Sequence, residues 1–220
     1  MRNLDLLKPF ALGAAIVAAL ILKSGSSHAA ETETAIVAGG CFWCVEADFE
    51  KVRGVSEVVS GFAGGTVANP SYRQVTRGGT GHLEAVEITF DPSVVSYTQI
   101  VDLFLRSIDP FDDGGQFCDR GPSYAPAIFA STPEQQRAAG AAIARAEGQL
   151  GREFKVALRQ AATLYPESAY HQNYYKQSDI IITRFGPLSK SKAYLRYRDA
   201  CGRDDRVRAI WGSSAPFTGS

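Results

Sequence analysis

Two cysteines three residues apart, Cys41 and Cys44 in the run Gly39-Gly40-Cys41-Phe42-Trp43-Cys44-Val45-Glu46, are the side chains of this sequence best placed to react. They follow a short apolar strand and open a segment in which Phe42, Val45, Phe49 and Val52 recur at helical spacing. The pattern predicts a helix closed by Gly54, with Cys41 at its N-terminus. Free backbone N–H groups and the helix dipole favour an anion there, so a lowered thiol pKa and a nucleophilic Cys41 are expected. A free thiol of pKa about 8.5 is only about 3% thiolate at neutral pH, and a shift to about 7 raises that fraction roughly fifteen-fold. Cys41 and Cys44 share a helical face and are also spaced to pair with each other, as in thioredoxin-like redox motifs. A structural disulfide or half of a metal site is the alternative reading.

A carboxylate is the second candidate. Residues 82–90 alternate as a strand, with His82, Glu84, Val86, Ile88 and Phe90 on one face. Glu84 thus points to the apolar side, where desolvation raises its pKa and makes it a candidate general acid. Tyr72, Asp119 and Tyr124 lie in loops; the default for a buried tyrosine hydroxyl is a backbone partner. The Gly- and Pro-containing segment 109–126, which holds Cys118, Asp119 and Tyr124, is long enough to suggest a functional role.

The elements that must position these groups alternate along the chain. Strands are expected over 34–38, 55–62, 82–90, 127–130 and 156–161. Ser96 with Gln99 forms a capping box for a helix to about Ile108, and Thr132-Pro133-Glu134-Gln135 opens another that runs to about Leu150. An aromatic segment with Tyr165, Tyr170, His171, Tyr174 and Tyr175 follows, then a basic and aromatic tail from Phe185 that carries Cys201. The order predicts an α+β, two-layer sandwich, a ferredoxin-like mixed sheet with helices packed on it.

Among the 220 residues, 23 Lys and Arg balance 23 Asp and Glu, so net charge gives no sign of a nucleic-acid partner. Arg2 and Lys8 precede the apolar run 10–22, and Ser27 and Ala29 suit the small-residue positions before a cleavage point. Residues 1–29 are read as a signal peptide, with an uncleaved membrane anchor as the alternative; export to the periplasm is expected. Four cysteines in an exported chain suggest disulfides, but a domain of this size does not need them to fold. The single methionine is the initiator. No exposed apolar helix stands out, and a monomer is expected.

Five runs together carry a family resemblance: Gly40-Cys41-Phe42-Trp43, Asn69-Pro70-Ser71-Tyr72, Gly81-His82-Leu83-Glu84, Gln116-Phe117-Cys118-Asp119-Arg120-Gly121 and Tyr170-His171-Gln172-Asn173-Tyr174. In this order they resemble the A-type peptide methionine sulfoxide reductases, over roughly residues 34–176. The resemblance implies a reductase domain over 34–184 and a tail over 185–220 that carries a candidate resolving cysteine. It implies that Cys41 attacks the sulfur of methionine S-sulfoxide while Glu84 protonates the oxygen and Tyr72 and Tyr124 hydrogen-bond it. Phe42 and Trp43 would hold the substrate methyl group, and Asp119 and Tyr174 would complete a polar rim. Cys41 is left as a sulfenic acid, which a second thiol condenses with; Cys201 is favoured and Cys44 is the alternative, with Cys118 a further possible partner. A thioredoxin-like reductant, oxidised proteins or free methionine sulfoxide as substrate, and no metal or organic cofactor are implied. The chain departs from the family at Ser123-Tyr124-Ala125-Pro126, commonly Gln-Tyr-Arg-Ser, at Glu167-Ser168, commonly Ala-Glu, and at Cys118, commonly Asn. Two other readings are a thiol-disulfide oxidoreductase without sulfoxide chemistry, to which Glu84 would be superfluous, and a zinc module using Cys41, Cys44, His82 or His171, which lacks a second closely spaced ligand pair.

Overall fold

Strand β1 (Glu33–Ala38), helix α1 (Phe42–Phe49) and strand β2 (Val55–Ala63) form a split βαβ unit, because β1 and β2 both pair antiparallel with β3 (Leu83–Phe90), which runs between them. These are features of a computed structural model that describes residues 31–219; the expected signal peptide lies outside the described residues. Helix α2 (Tyr72–Arg77) stands in the β2–β3 connection, and α3 (Tyr97–Arg106) leads from β3 toward β4 (Ala127–Ala130). β4 pairs antiparallel with β1 on its free side, which gives the ferredoxin-like order β4-β1-β3-β2. Helix α4 (Pro133–Leu150) crosses back to β5 (Ala157–Gln160), which adds parallel to β4, and the short β6 (Tyr165–Pro166) closes the other edge on β2. The sheet is therefore mixed, and the expected α+β sandwich is the fold observed.

The helix starts follow their sequence signals. Gln99 N–H donates to Ser96 Oγ at 3.3 Å and Ser96 N–H to Gln99 Oε1 at 2.8 Å, completing a reciprocal cap. Thr132 caps α4 through Gln135 N–H at 3.1 Å. The Gln135 side chain reaches further than expected, accepting from Ser131 N–H and donating to Thr34 O, so it ties α4 to β1. One face of the sheet, with Val37, Phe62, Val86, Ile88 and Phe90, packs on α1, α3 and α4 through Phe42, Phe49, Phe104 and the small Ala139, Ala142 and Ala146. The other face buries a smaller cluster that includes Ala38, Leu83, Ala85 and Phe129.

The tail is more ordered than its sequence suggests. A hairpin of β7 (Ile180–Thr183) and β8 (Gly186–Ser189) leads into helices α5 (Lys190–Ala200) and α6 (Arg203–Trp211). Their inward anchors include arginines. Arg198 Nη1 lies 2.9 Å from Asp48 Oδ1 in α1, and Arg203 Nη2 donates to Ser107 O at 2.9 Å. Both arginines and Asp48 are almost wholly buried, so the two helices dock beneath α1 on a charged network. Among the described residues no helix is long and apolar enough to cross a membrane.

Candidate active site

The turn between β1 and α1 fixes the position of Cys41. Gly40 sits at φ 81°, and a Cβ added there would lie 2.5 Å from Gln116 Cβ. Gln116 is fully buried; its amide donates to Asp109 O and Asp112 O, both at 2.9 Å, and accepts from Asp109 N–H at 2.8 Å. The loop carrying Cys118 and Asp119 is thereby locked against the cysteine turn. It closes in a two-residue hairpin, Gly115–Gln116 against Asp119–Arg120, with Phe117 at φ 53°.

Glu84 projects from β3, opposite Phe62 in register, and is 2% exposed. Phe42 N–H, the first free donor of α1, gives its hydrogen bond to Glu84 Oε2 at 3.1 Å. Burial pushes the Glu84 carboxyl up to about 8, against the pull of the Phe42 N–H and with a further push from the charge of Asp119. A carboxylic acid is thus available at neutral pH beside Cys41, as the strand pattern predicts. Burial also holds the Tyr72 and Tyr124 hydroxyls well above the usual tyrosine range, and the two share a hydrogen bond.

The thiols differ from expectation. Cys41 is the N-cap residue, but its side chain makes no capping hydrogen bond, and the Phe42 N–H that follows it goes to Glu84. Hydrogen bonding with Cys44, burial, and the negative charges of Glu84 and Asp119 together raise the Cys41 thiol well above its ordinary value. Cys44 is pulled down to about 7 by the hydrogen bond from Cys41 and by the charges of Arg203 and Arg198. The thiolate of the pair therefore rests on Cys44, with Cys41 donating to it. The arginines that set this charge come from α5 and α6, which the sequence pattern left without elements.

Aromatic rings enclose the thiol. Trp43 stacks on the buried Tyr174 at 3.7 Å between centroids, and His171 stacks on Tyr72 at 4.5 Å and lies 5.6 Å from both Phe42 and Trp43. The sequence offered His171 only as a ligand of the alternative zinc module; its place beside Tyr170 and Tyr174 in the aromatic segment is the signal that was available and not used. Gln172 fixes this segment to β2, accepting from Ser60 N–H at 2.9 Å and donating to Ser60 O, while Asn173 N–H donates to Glu46 Oε1 at 2.8 Å. His82 is a brace rather than a ligand. Its Nδ1 accepts from Gly65 N–H at 3.1 Å and its Nε2 donates to Val67 O at 2.7 Å, holding the loop that leads to Tyr72.

A cavity of about 300 Å³ opens on the thiols, lined among others by Cys41, Trp43, Cys44, Asp119, Tyr174 and Cys201. Glu84, Phe42, Tyr72 and Tyr124 gather about Cys41 outside that lining. Cys201 is joined to Cys118 by a disulfide, with 5.1 Å between the Cα atoms, and Cys41 and Cys44 are free thiols. Among the described residues no three His, Cys, Asp or Glu side chains are grouped as metal ligands would be.

The family model described as peptide methionine sulfoxide reductase matches residues 33–200. The chain is 42% identical over 202 residues to peptide methionine sulfoxide reductase MsrA 2 of Caulobacter vibrioides, covering 91% of this chain and 96% of that protein. It is 43% identical to peptide methionine sulfoxide reductase MsrA 2 of Rhizobium meliloti, covering 86% of this chain and 88% of the other. The solved structure of methionine sulfoxide reductase A of Corynebacterium diphtheriae is similar with a TM-score of 0.62 at 29% identity, over 67% of this chain and 75% of that one. An acid and a thiol pair meet within an aromatic enclosure, and the chain belongs to the peptide methionine sulfoxide reductase family, oxidoreductases that use thiols to reduce methionine S-sulfoxide to methionine.

Proposed function

We propose that Cys41 is the nucleophile and Glu84 the general acid of this reduction, and the observation that carries the assignment is the single hydrogen-bonded turn that brings both to the start of α1. Cys41 sulfur attacks the sulfoxide sulfur and its proton passes to the Cys44 thiolate. Glu84 gives its proton to the sulfoxide oxygen, with Tyr72 and Tyr124 donating hydrogen bonds to that oxygen as negative charge develops. Methionine leaves, the oxygen stays on Cys41 as a sulfenic acid, and condensation with a second thiol yields a disulfide and water. Phe42 and Trp43 hold the methyl group, Tyr174 supports Trp43 from behind, and Asp119 edges the site. Cys201 and Cys44 are the resolving candidates, and both line the cavity that Cys41 lines.

The reductant is a thioredoxin-like dithiol, and the substrate is free or protein-bound methionine sulfoxide. Residues 1–29 direct the chain out of the cytoplasm as a signal peptide, where it works as a monomer in the periplasm. Basic residues ahead of a short apolar run and small residues after it support this. Mass analysis of the protein recovered from a periplasmic extract tests it: loss of about 29 residues is expected, and a full-length chain retained with the membrane would favour an uncleaved anchor. Iodoacetamide labelling of the reduced protein tests the nucleophile, since prior exposure to methionine sulfoxide is expected to protect Cys41, and continued labelling of Cys41 would oppose the role.

A further inference from the structure

The four cysteines form two pairs that differ in exposure. Cys41 and Cys44 are half-buried and buried, while Cys118 is exposed and Cys201 half-buried. Both members of the second pair line the inner cavity beside Cys41 and Cys44. Both also line a separate groove of about 320 Å³ with Asp109, Asp112, Phe117 and Arg206. The Cys118–Cys201 disulfide thus stands between the thiols of the site and the exterior. Its two halves sit on turns: Cys118 at the tip of the 115–120 hairpin, and Cys201 where α5 ends and Gly202, at φ 63°, starts α6. The Arg203 guanidinium lies over the Phe117 ring, 4.6 Å from its centroid, so the hairpin rests on the charge that also faces Cys44.

We propose that Cys118 is a fourth redox-active residue of this enzyme, and that Cys118 and Cys201 form an outer pair through which electrons from an external dithiol reach the inner pair Cys41 and Cys44. The proposal rests on the reading of Cys41 as the nucleophile. In the first step the Cys41 sulfenic acid condenses with the Cys44 thiol, giving the Cys41–Cys44 disulfide and water. Cys201 thiolate then attacks Cys41 sulfur; the Cys41–Cys44 bond breaks, a Cys41–Cys201 bond forms, and Cys44 departs as thiolate. Arg203 and Arg198 favour that departure, because a better-stabilised thiolate leaves faster. Cys118 thiolate next attacks Cys201 sulfur, forming Cys118–Cys201 and releasing Cys41. An external dithiol in the outer groove finally reduces Cys118–Cys201 and is itself oxidised to a disulfide. The Cys118–Cys201 bond present in the structure is the product of the third step.

Stoichiometry decides it. The fully reduced protein, freed of reductant, is mixed with excess methionine sulfoxide and the methionine formed is counted. Two pairs in series give about two methionines per chain, one closing Cys118–Cys201 and one closing Cys41–Cys44. Cys118→Ser is expected to give about one, which also shows that the variant is folded and reactive, and peptide mapping of the wild type after about one equivalent is expected to find the Cys118–Cys201 bond. A wild-type yield of one, or a yield of two from Cys118→Ser, overturns the relay and leaves the Cys41 assignment standing. Turnover by Cys41→Ser would instead remove the reading on which it rests.

Discussion

At the scale of single residues, the site depends on where two protons sit. The Cys41–Cys44 pair carries its thiolate on Cys44 from about pH 7, and Glu84 keeps its proton up to about pH 8. With Cys41 as nucleophile and Glu84 as acid, as proposed, the reactive protein is the one with Cys44 ionised and Glu84 neutral. The single-turnover rate of the reduced enzyme should rise with pH through about 7 and fall through about 8, giving a narrow bell. Glu84→Gln should lower the rate by roughly 10²–10⁴-fold and remove the alkaline limb, since the amide has no proton to give. Persistence of that limb in the variant would assign it to another group. The same substitution should alter stability in the opposite sense. A buried carboxyl whose folded pKa lies above its unfolded value of about 4.3 contributes stability that is fully present below that pH and is lost as pH rises through about 8. Glu84→Gln, which keeps an acceptor for Phe42 N–H, should thus unfold at a higher temperature than wild type at pH 8, with the gap closing toward pH 4. A gap independent of pH would show that ionisation of Glu84 is not its cause.

Secondary-structure elements differ in how plainly their sequences announce them. The helix at Cys41, the reciprocal cap of Ser96 with Gln99 and the Thr132-Pro133 start were all legible, because each depends on neighbours within about one turn. The placement of Glu84 was legible too, since strand alternation fixes which side of a sheet it faces. α5 and α6 were not. A reading that follows apolar periodicity has no means of detecting helices that dock through Arg198 and Arg203 on Asp48, a residue distant in sequence. The lowered pKa expected for Cys41 failed for a related reason: its hydrogen bond with Cys44, its burial and the charges of Glu84 and Asp119, which come from another strand and a distant loop, raise it instead. The Asp48 anchor has a measurable consequence. Removing one partner of a buried ion pair leaves an uncompensated charge, so Asp48→Ala should cost about 3–5 kcal/mol in denaturant unfolding, whereas an effect below about 1 kcal/mol would show the pair to be solvated in solution. Gly40→Ala should be similarly unfavourable, because both its φ of 81° and the contact with Gln116 oppose a Cβ. Wild-type stability and activity in that variant would mean that the turn is free to relax.

At the scale of the whole molecule, a ferredoxin-like sheet holds the acid on a central strand and the thiols at the first helix, and the long loop and the C-terminal helices complete the site from outside that core. The motif runs located the inner residues because Cys41, Glu84, Tyr72 and Tyr124 all lie within or beside the runs that resemble the family. Pairing of Cys118 with Cys201 is a contact between a hairpin tip and an inter-helix turn, and no local pattern encodes it. The family departures at Ala125 and Pro126 fall where backbone structure continues: Ala125 N–H donates to Pro122 O at 3.3 Å, and Pro126 O accepts from Ala157 N–H at 3.1 Å, so the chain enters β4 with its pairing intact. The measurement that tests the central claim most directly is reduction of the separate S and R epimers of a dabsyl-labelled methionine sulfoxide with dithiothreitol, by wild type, Cys41→Ser and Glu84→Gln. Turnover of the S epimer alone, abolished in Cys41→Ser and strongly slowed in Glu84→Gln, is the predicted result. Reduction of neither epimer by wild type, or undiminished reduction by Cys41→Ser, would contradict it.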